Sequence, residues 1–209
     1  MTPTGPPPLT SNAPRTGHSD EPPVRIMTIC GSLRSGSVNG AVLRAVATLL
    51  PPGVIVDAWD GNGRLPFYNP DDDVEPLDPV VADYRRRIRR ADAVLFSTPE
   101  YAGALPGAFK NALDWMVGGV EIAGKPVAWI NPSTGPTGAA DAYGSLRTVF
   151  RFIQPRIVEA ACVDVPVFRR QIGPDGLIPD PAIRERIAGA VSTLAEAVRH
   201  PAGSERPLA

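Results

Sequence analysis

Cysteine is scarce: two residues in 209, Cys30 and Cys162, which cannot form a disulfide framework and do not have zinc-site spacing. Both are expected to lie buried at strand ends in a reducing compartment, the cytoplasm. Charge bias is also missing. Lys and Arg number 21 against 22 Asp and Glu, a formal net charge of −1, so nothing global argues for nucleic acid or an anionic membrane as partner. No run approaches the ~20 apolar residues of a membrane span. Residues 1–23 are rich in Pro, Thr, Ser and Gly and lack the apolar core of a signal peptide; they are expected to be a disordered tail, as are residues 200–209. Two nucleotide fingerprints fail as well. A triphosphatase loop needs G-x-x-x-x-G-K-[ST], and Ser37 stands where the lysine belongs; G-x-G-x-x-G is broken at Ser32-Leu33. The acidic run Asp71-Asp72-Asp73 lacks the glycine and glutamate of a calcium loop and reads as solvated. Proline, at 25 residues, is the one excess.

What is present is one domain's worth of chain, residues 24–199, with apolar runs alternating with helical periodicities. Residues 24–29 (VRIMTI), β-branched and proline-bounded, predict a first strand. Apolar Val42, Leu43, Val46, Leu49 and Leu50 predict a helix over 41–50. Further strands are expected at 54–59, 91–98, 126–130 and 156–163. Helices are expected around Val80–Ala91, from Pro106 at the first helical position through Met116, through Tyr143–Ile153 and through Ile183–Val198. The arginines 85, 86, 87, 89 and 90 read as the solvated face of the second helix. Five strands alternating with helices imply a parallel sheet covered on both faces.

Three polar loops then fall at strand carboxyl ends, where open α/β sheets bind ligands. The first, Cys30-Gly31-Ser32-Leu33-Arg34-Ser35-Gly36-Ser37-Val38-Asn39, joins a strand to a helix N-terminus. Unpaired amides and the positive end of the helix dipole favour an anion there. Glycine permits close approach, Ser32, Ser37 and Asn39 can donate, and Arg34 adds a charged fork suited to phosphate. The plain alternative is a turn with a capping serine. The second loop, Pro99-Glu100-Tyr101-Ala102-Gly103-Ala104-Leu105-Pro106-Gly107, presents an aromatic and an acid. The third runs Asn131-Pro132-Ser133-Thr134-Gly135-Pro136-Thr137-Gly138. Together they suit a mononucleotide. The long stretch 60–79 puts Phe67 and Tyr68 at a pocket edge or a subunit contact.

These residues resemble the NADPH-dependent FMN reductase family. The match rests on Gly31-Ser32-Leu33-Arg34 with Ser37 and Asn39, on Leu65-Pro66-Phe67-Tyr68-Asn69, and on the run from Pro99 through Gly107 to Asn111, Asp114 and Trp115. The resemblance implies a flavodoxin-like three-layer α/β sandwich with a five-stranded parallel sheet in the order 2-1-3-4-5. It implies FMN as cofactor and NADPH (or NADH) as co-substrate, with a quinone, flavin, chromate or azo compound as small-molecule acceptor, in a ping-pong cycle. By the same resemblance Ser32, Arg34, Ser37 and Asn39, with Val38 between them, hold the FMN phosphate. Pro99, Glu100, Tyr101 and Gly103 line the ring system, and Ser133, Thr134 and Gly135 approach its other edge. Ala102 stands where Asn or His is common. Lys110, Asn111, Asp114 and Trp115 are assigned to helix packing and a subunit interface, in a homodimer or homotetramer. No protein acid, base or metal is nominated. The alternative is a flavodoxin-type electron carrier acting on protein partners, which the absence of an acidic surplus disfavours.

Overall fold

The computed structural model describes residues 22–201, so the expected tails lie almost wholly outside the described residues. The elements in chain order are β1 (Val24–Cys30), α1 (Val38–Ala47), β2 (Val54–Trp59), α2 (Pro79–Arg90), β3 (Ala93–Ser97), α3 (Gly107–Asp114), β4 (Pro126–Asn131), α4 (Ala140–Ile153), β5 (Arg156–Ile157), β6 (Val163–Asp164) and α5 (Pro181–Arg199). All pairings between named strands are parallel, in the order β2-β1-β3-β4-β5, with β6 also paired to β4. The expected topology stands, but the fifth strand is not continuous. A 3-10 turn at Glu159–Ala161 splits it into two two-residue pieces that pair with the start and the end of β4 in turn.

Strand alternation builds two apolar layers. Met27, Ile29, Val94, Phe96, Val127 and Trp129 face α2, α3 and α4. Ile26, Leu95, Ala128 and Ile130 face α1 and α5. Because side chains alternate across a sheet, near-continuous apolar runs are what burial on both faces demands. Each large side chain so buried contributes about 1.5–3 kcal/mol. This double cover leaves only the sheet's ends free, and the loops after β1, β3 and β4 open together at the carboxyl end.

Three expectations about elements change. Pro106 is the residue before α3, at its N-cap, and the helix stops at Asp114. Arg85 is not solvated: it is buried and binds Asp73 bidentately at 2.7 and 2.8 Å while its Nε donates to the Trp115 carbonyl at 3.0 Å. Asp73, the last of the three adjacent acids, is therefore the partly buried partner of Arg85, its carboxylate largely withdrawn from solvent while Asp71 and Asp72 stay exposed. Cys30 and Cys162 do sit at strand ends, but half-buried.

Candidate functional site

The turn between β1 and α1 is closed by Ser37 N–H donating to the Arg34 carbonyl at 3.0 Å. Ser37 then caps α1, its Oγ accepting from Gly40 N at 2.9 Å, while Ser32 Oγ accepts from Arg34 N. The amides of Ser35, Gly36, Val38 and Asn39 find no acceptor among the described residues. Capping thus satisfies one orphan donor of the helix and leaves others for an anion. Gly31 is required by close approach: a Cβ there would lie 2.1 Å from Thr98 Oγ1. Asn39 is buried and accepts from Ser97 Oγ at 2.9 Å, which locks α1 to the end of β3. Arg34 is exposed and forms no ion pair among the described residues.

The second and third loops are tied to each other by Glu100. Its carboxylate accepts from Thr137 Oγ1 at 3.3 Å and from the Ala142 amide at 3.0 Å. The N-cap of α4 is Ala139, which has no side-chain acceptor, so Glu100 supplies from across the cleft the cap that the helix lacks. Tyr143 reinforces the tie. Its buried hydroxyl donates to the Thr98 or Ile130 carbonyl and accepts from Thr98 N, and burial raises its pKa well above the ordinary phenol. In the third loop Asn131 accepts from Ser133 N and donates to the Gly138 carbonyl and to Asp164.

Between these loops lies a cleft of about 420 Å³ that brings together Val38, Asn39, Pro99, Glu100, Ser133, Thr134 and Gly135. Ser32, Arg34 and Ser37 line a second cleft, of about 460 Å³, on the β2 side of the same turn. Tyr101, Ala102 and Gly103 border neither; they form a two-residue hairpin turn whose tip projects outward, with Tyr101 half exposed. Sequence reasoning missed Thr98, Val167 and Arg169. Thr98 carried a readable signal, a polar residue directly after an apolar strand. Val167 and Arg169 come from the connection after β6 and carry none; Val167 joins the wall of the first cleft, beside Val38 and Asn39, and Arg169 reaches the Gly36 carbonyl.

Amides and an arginine without partners among the described residues, a glycine pressed on Thr98 and a capping serine fit a phosphate monoester, and the adjoining cleft has room and polar loop edges for a ring system. A parallel sheet of this order, with such a turn at its switch point, defines a flavodoxin-like nucleotide-binding protein. The chain belongs to the NADPH-dependent FMN reductase family, whose model matches residues 24–168. It is 35% identical over 173 residues to an NAD(P)H-dependent FMN reductase of Pseudomonas aeruginosa, covering 82% of this chain and 93% of that one. It is 29% identical to a quinone reductase of Escherichia coli, over 84% and 96% of the two chains. Among solved structures, the flavoenzyme NAD(P)H:(acceptor) oxidoreductase FerB of Paracoccus denitrificans superposes with a TM-score of 0.70 at 27% identity, over 84% of this chain and 97% of that one. The chain is accordingly an oxidoreductase of the FMN- and NAD(P)H-dependent kind, and the electron-carrier alternative gains no support.

Proposed function

We propose that this protein passes electrons from NADPH or NADH through FMN to a small acceptor of the quinone class, in the cytoplasm and as a homo-oligomer. When bound, FMN would supply the redox chemistry, hydride uptake from a nicotinamide and electron delivery to the acceptor. The chain's own residues bind and orient. Ser32, Arg34, Ser37 and the amides of Val38 and Asn39 hold the phosphate. Pro99 and Glu100 form one border of the ring site, with Tyr101, Ala102 and Gly103 on the outward hairpin tip of the same loop, and Ser133, Thr134 and Gly135 form the other border. Glu100 works here as a brace that keeps those two borders at a fixed separation.

The observation that carries this reading is the β1–α1 turn, whose amides find no acceptor among the described residues and which carries Arg34, a cation with no ion pair among them. The deciding experiment is an absorbance spectrum of the purified protein followed by anaerobic addition of NADPH and then a benzoquinone. Flavin bands that bleach with NADPH and return with quinone are expected; a colourless protein indifferent to added FMN would end the proposal. Arg34→Ala is expected to weaken FMN binding by about 1.5–3 kcal/mol, the worth of a hydrogen bond to a charged group, read by flavin fluorescence titration.

Assembly is supported by an apolar surface patch. Asn111 donates to the Pro66 carbonyl and accepts from Tyr68 N, and Trp115 Nε1 also donates to Pro66, so α3 holds that loop with Phe67 89% exposed between the two anchors. Val117 and Val120 are exposed just beyond α3. Holding a phenylalanine in water on a fixed loop suits a partner surface. Phe67→Asp is expected to shift the size-exclusion peak towards monomer, and a wild-type protein that is already monomeric at micromolar concentration would remove the homo-oligomer.

A further inference from the structure

We infer that Arg169 is a positioning residue for the phosphate-binding turn, a role that rests on the flavin reading above. Arg169 stands 133 residues downstream of the turn, yet its Nη1 donates to the Gly36 carbonyl at 2.5 Å. Its Nη2 lies 2.8 Å from the place a Cβ on Gly36 would take. Gly36 is the freest residue in the turn, since without a Cβ it explores backbone conformations closed to others. The neighbouring peptide is already held on its other side, Ser37 N–H being bonded to the Arg34 carbonyl. Arg169 fixes the remaining carbonyl, so the peptide between Gly36 and Ser37 is gripped at both ends. The amides of Ser35, Gly36, Val38 and Asn39 are thereby held in place before any ligand arrives, which lowers the ordering cost of binding.

Arg169 is itself held in position. It opens the 3-10 turn Arg169–Gln171, where Gln171 N donates to the Phe168 carbonyl at 2.9 Å and Phe168 N donates back to Gln171 Oε1 at 2.8 Å. Arg170 takes the other direction and lies over the Phe168 ring at 4.3 Å from its centroid, so the two adjacent arginines divide their work. Arg169 forms no ion pair among the described residues, and with Arg44 it flanks a cleft of about 250 Å³ backed by Gly36 and Ser37. Its positive charge therefore stays uncompensated beside a turn shaped for a dianion, and it is delivered from the connection after β6, not from the strand-to-helix motif.

The test separates flavins that differ only in the phosphate. The full-length chain, freed of flavin, is titrated with FMN and with riboflavin as wild type, Arg169→Ala and Arg169→Lys. Arg169→Ala is expected to raise the Kd for FMN about tenfold or more, as for loss of a charge-assisted contact, while the Kd for riboflavin stays within twofold. Arg169→Lys, which keeps the charge but not the fork, is expected to fall between. Arg169 is exposed, so the fold should survive either change. Equal loss for both flavins, or no loss for either, would overturn the inference while a wild-type preference for FMN over riboflavin leaves the phosphate reading standing. A wild-type chain that binds neither flavin, or both equally well, would overturn the phosphate reading itself and this inference with it.

Discussion

Ala102 has φ of +52°, and Gly103 beside it +69°. Tyr101 and Ala104 exchange both backbone hydrogen bonds, at 3.0 and 3.1 Å, so the two residues form a hairpin turn with positive φ at both central positions. Such turns favour Asn-Gly because an L residue with a Cβ is strained in the left-handed region by roughly 1–2 kcal/mol, and a short polar side chain recovers part of that through local hydrogen bonds. The family resemblance marks Asn or His as common at this position, and the backbone gives Asn a physical reason. Here Ala bears the strain at the outward tip of a loop whose base, Pro99 and Glu100, lines the cleft. Ala102→Asn is expected to raise unfolding stability by about 0.5–1 kcal/mol, seen as a higher urea midpoint at unchanged slope. An unmoved midpoint would show that the strain is relieved elsewhere.

Among the elements, α2 shows how much of this molecule the chain discloses. Its arginine run reads as a wet face, yet Val81, Tyr84 and Ile88 define the apolar stripe, and Arg85, four residues after Val81, falls on it. The period itself held the signal; the charge obscured it. Its partner Asp73 carried none, because a 12-residue separation through an irregular loop has no periodicity to read. The same divide runs through the site. The turn after β1 and the loops after β3 and β4 were legible as Gly, Ser and Pro clusters closing apolar runs, since local backbone chemistry writes them. The split of the fifth strand at Glu159–Ala161 and the arrival of Arg169 at Gly36 depend on packing between distant segments and were not. Arg85 joins α2 to the Asp73 loop and to the end of α3, close to the loop that carries Phe67. Arg85→Ala leaves the partly buried Asp73 carboxylate without its counter-ion and is expected to cost about 3 kcal/mol, measured by urea unfolding. The double change Arg85→Met with Asp73→Leu should recover much of that loss, because the cost lies in the orphaned charge.

At the scale of the whole molecule, the two apolar layers meet near the split strand, and Cys162 packs against both. Burial pushes its thiol pKa up to about 11 from an ordinary value of 9.0. The sign of the consequence follows from proton counting. Between pH 9 and 11 the unfolded chain releases the Cys162 proton while the folded chain keeps it, so the unfolded state binds fewer protons and stability falls as pH rises. Below that window the thiol is neutral in both states and contributes no slope. Tyr84 and Tyr143, whose hydroxyls are also buried and shifted upward, extend the decline to higher pH. Because Cys162 touches both layers, its ionisation should be felt in the cooperative unfolding of the domain and not only in local fraying. The urea midpoint is therefore expected to drop through pH 9–11 in the wild type and less steeply in Cys162→Ala. Parallel slopes for the two proteins would show that the thiol ionises in the folded state as readily as in the unfolded chain.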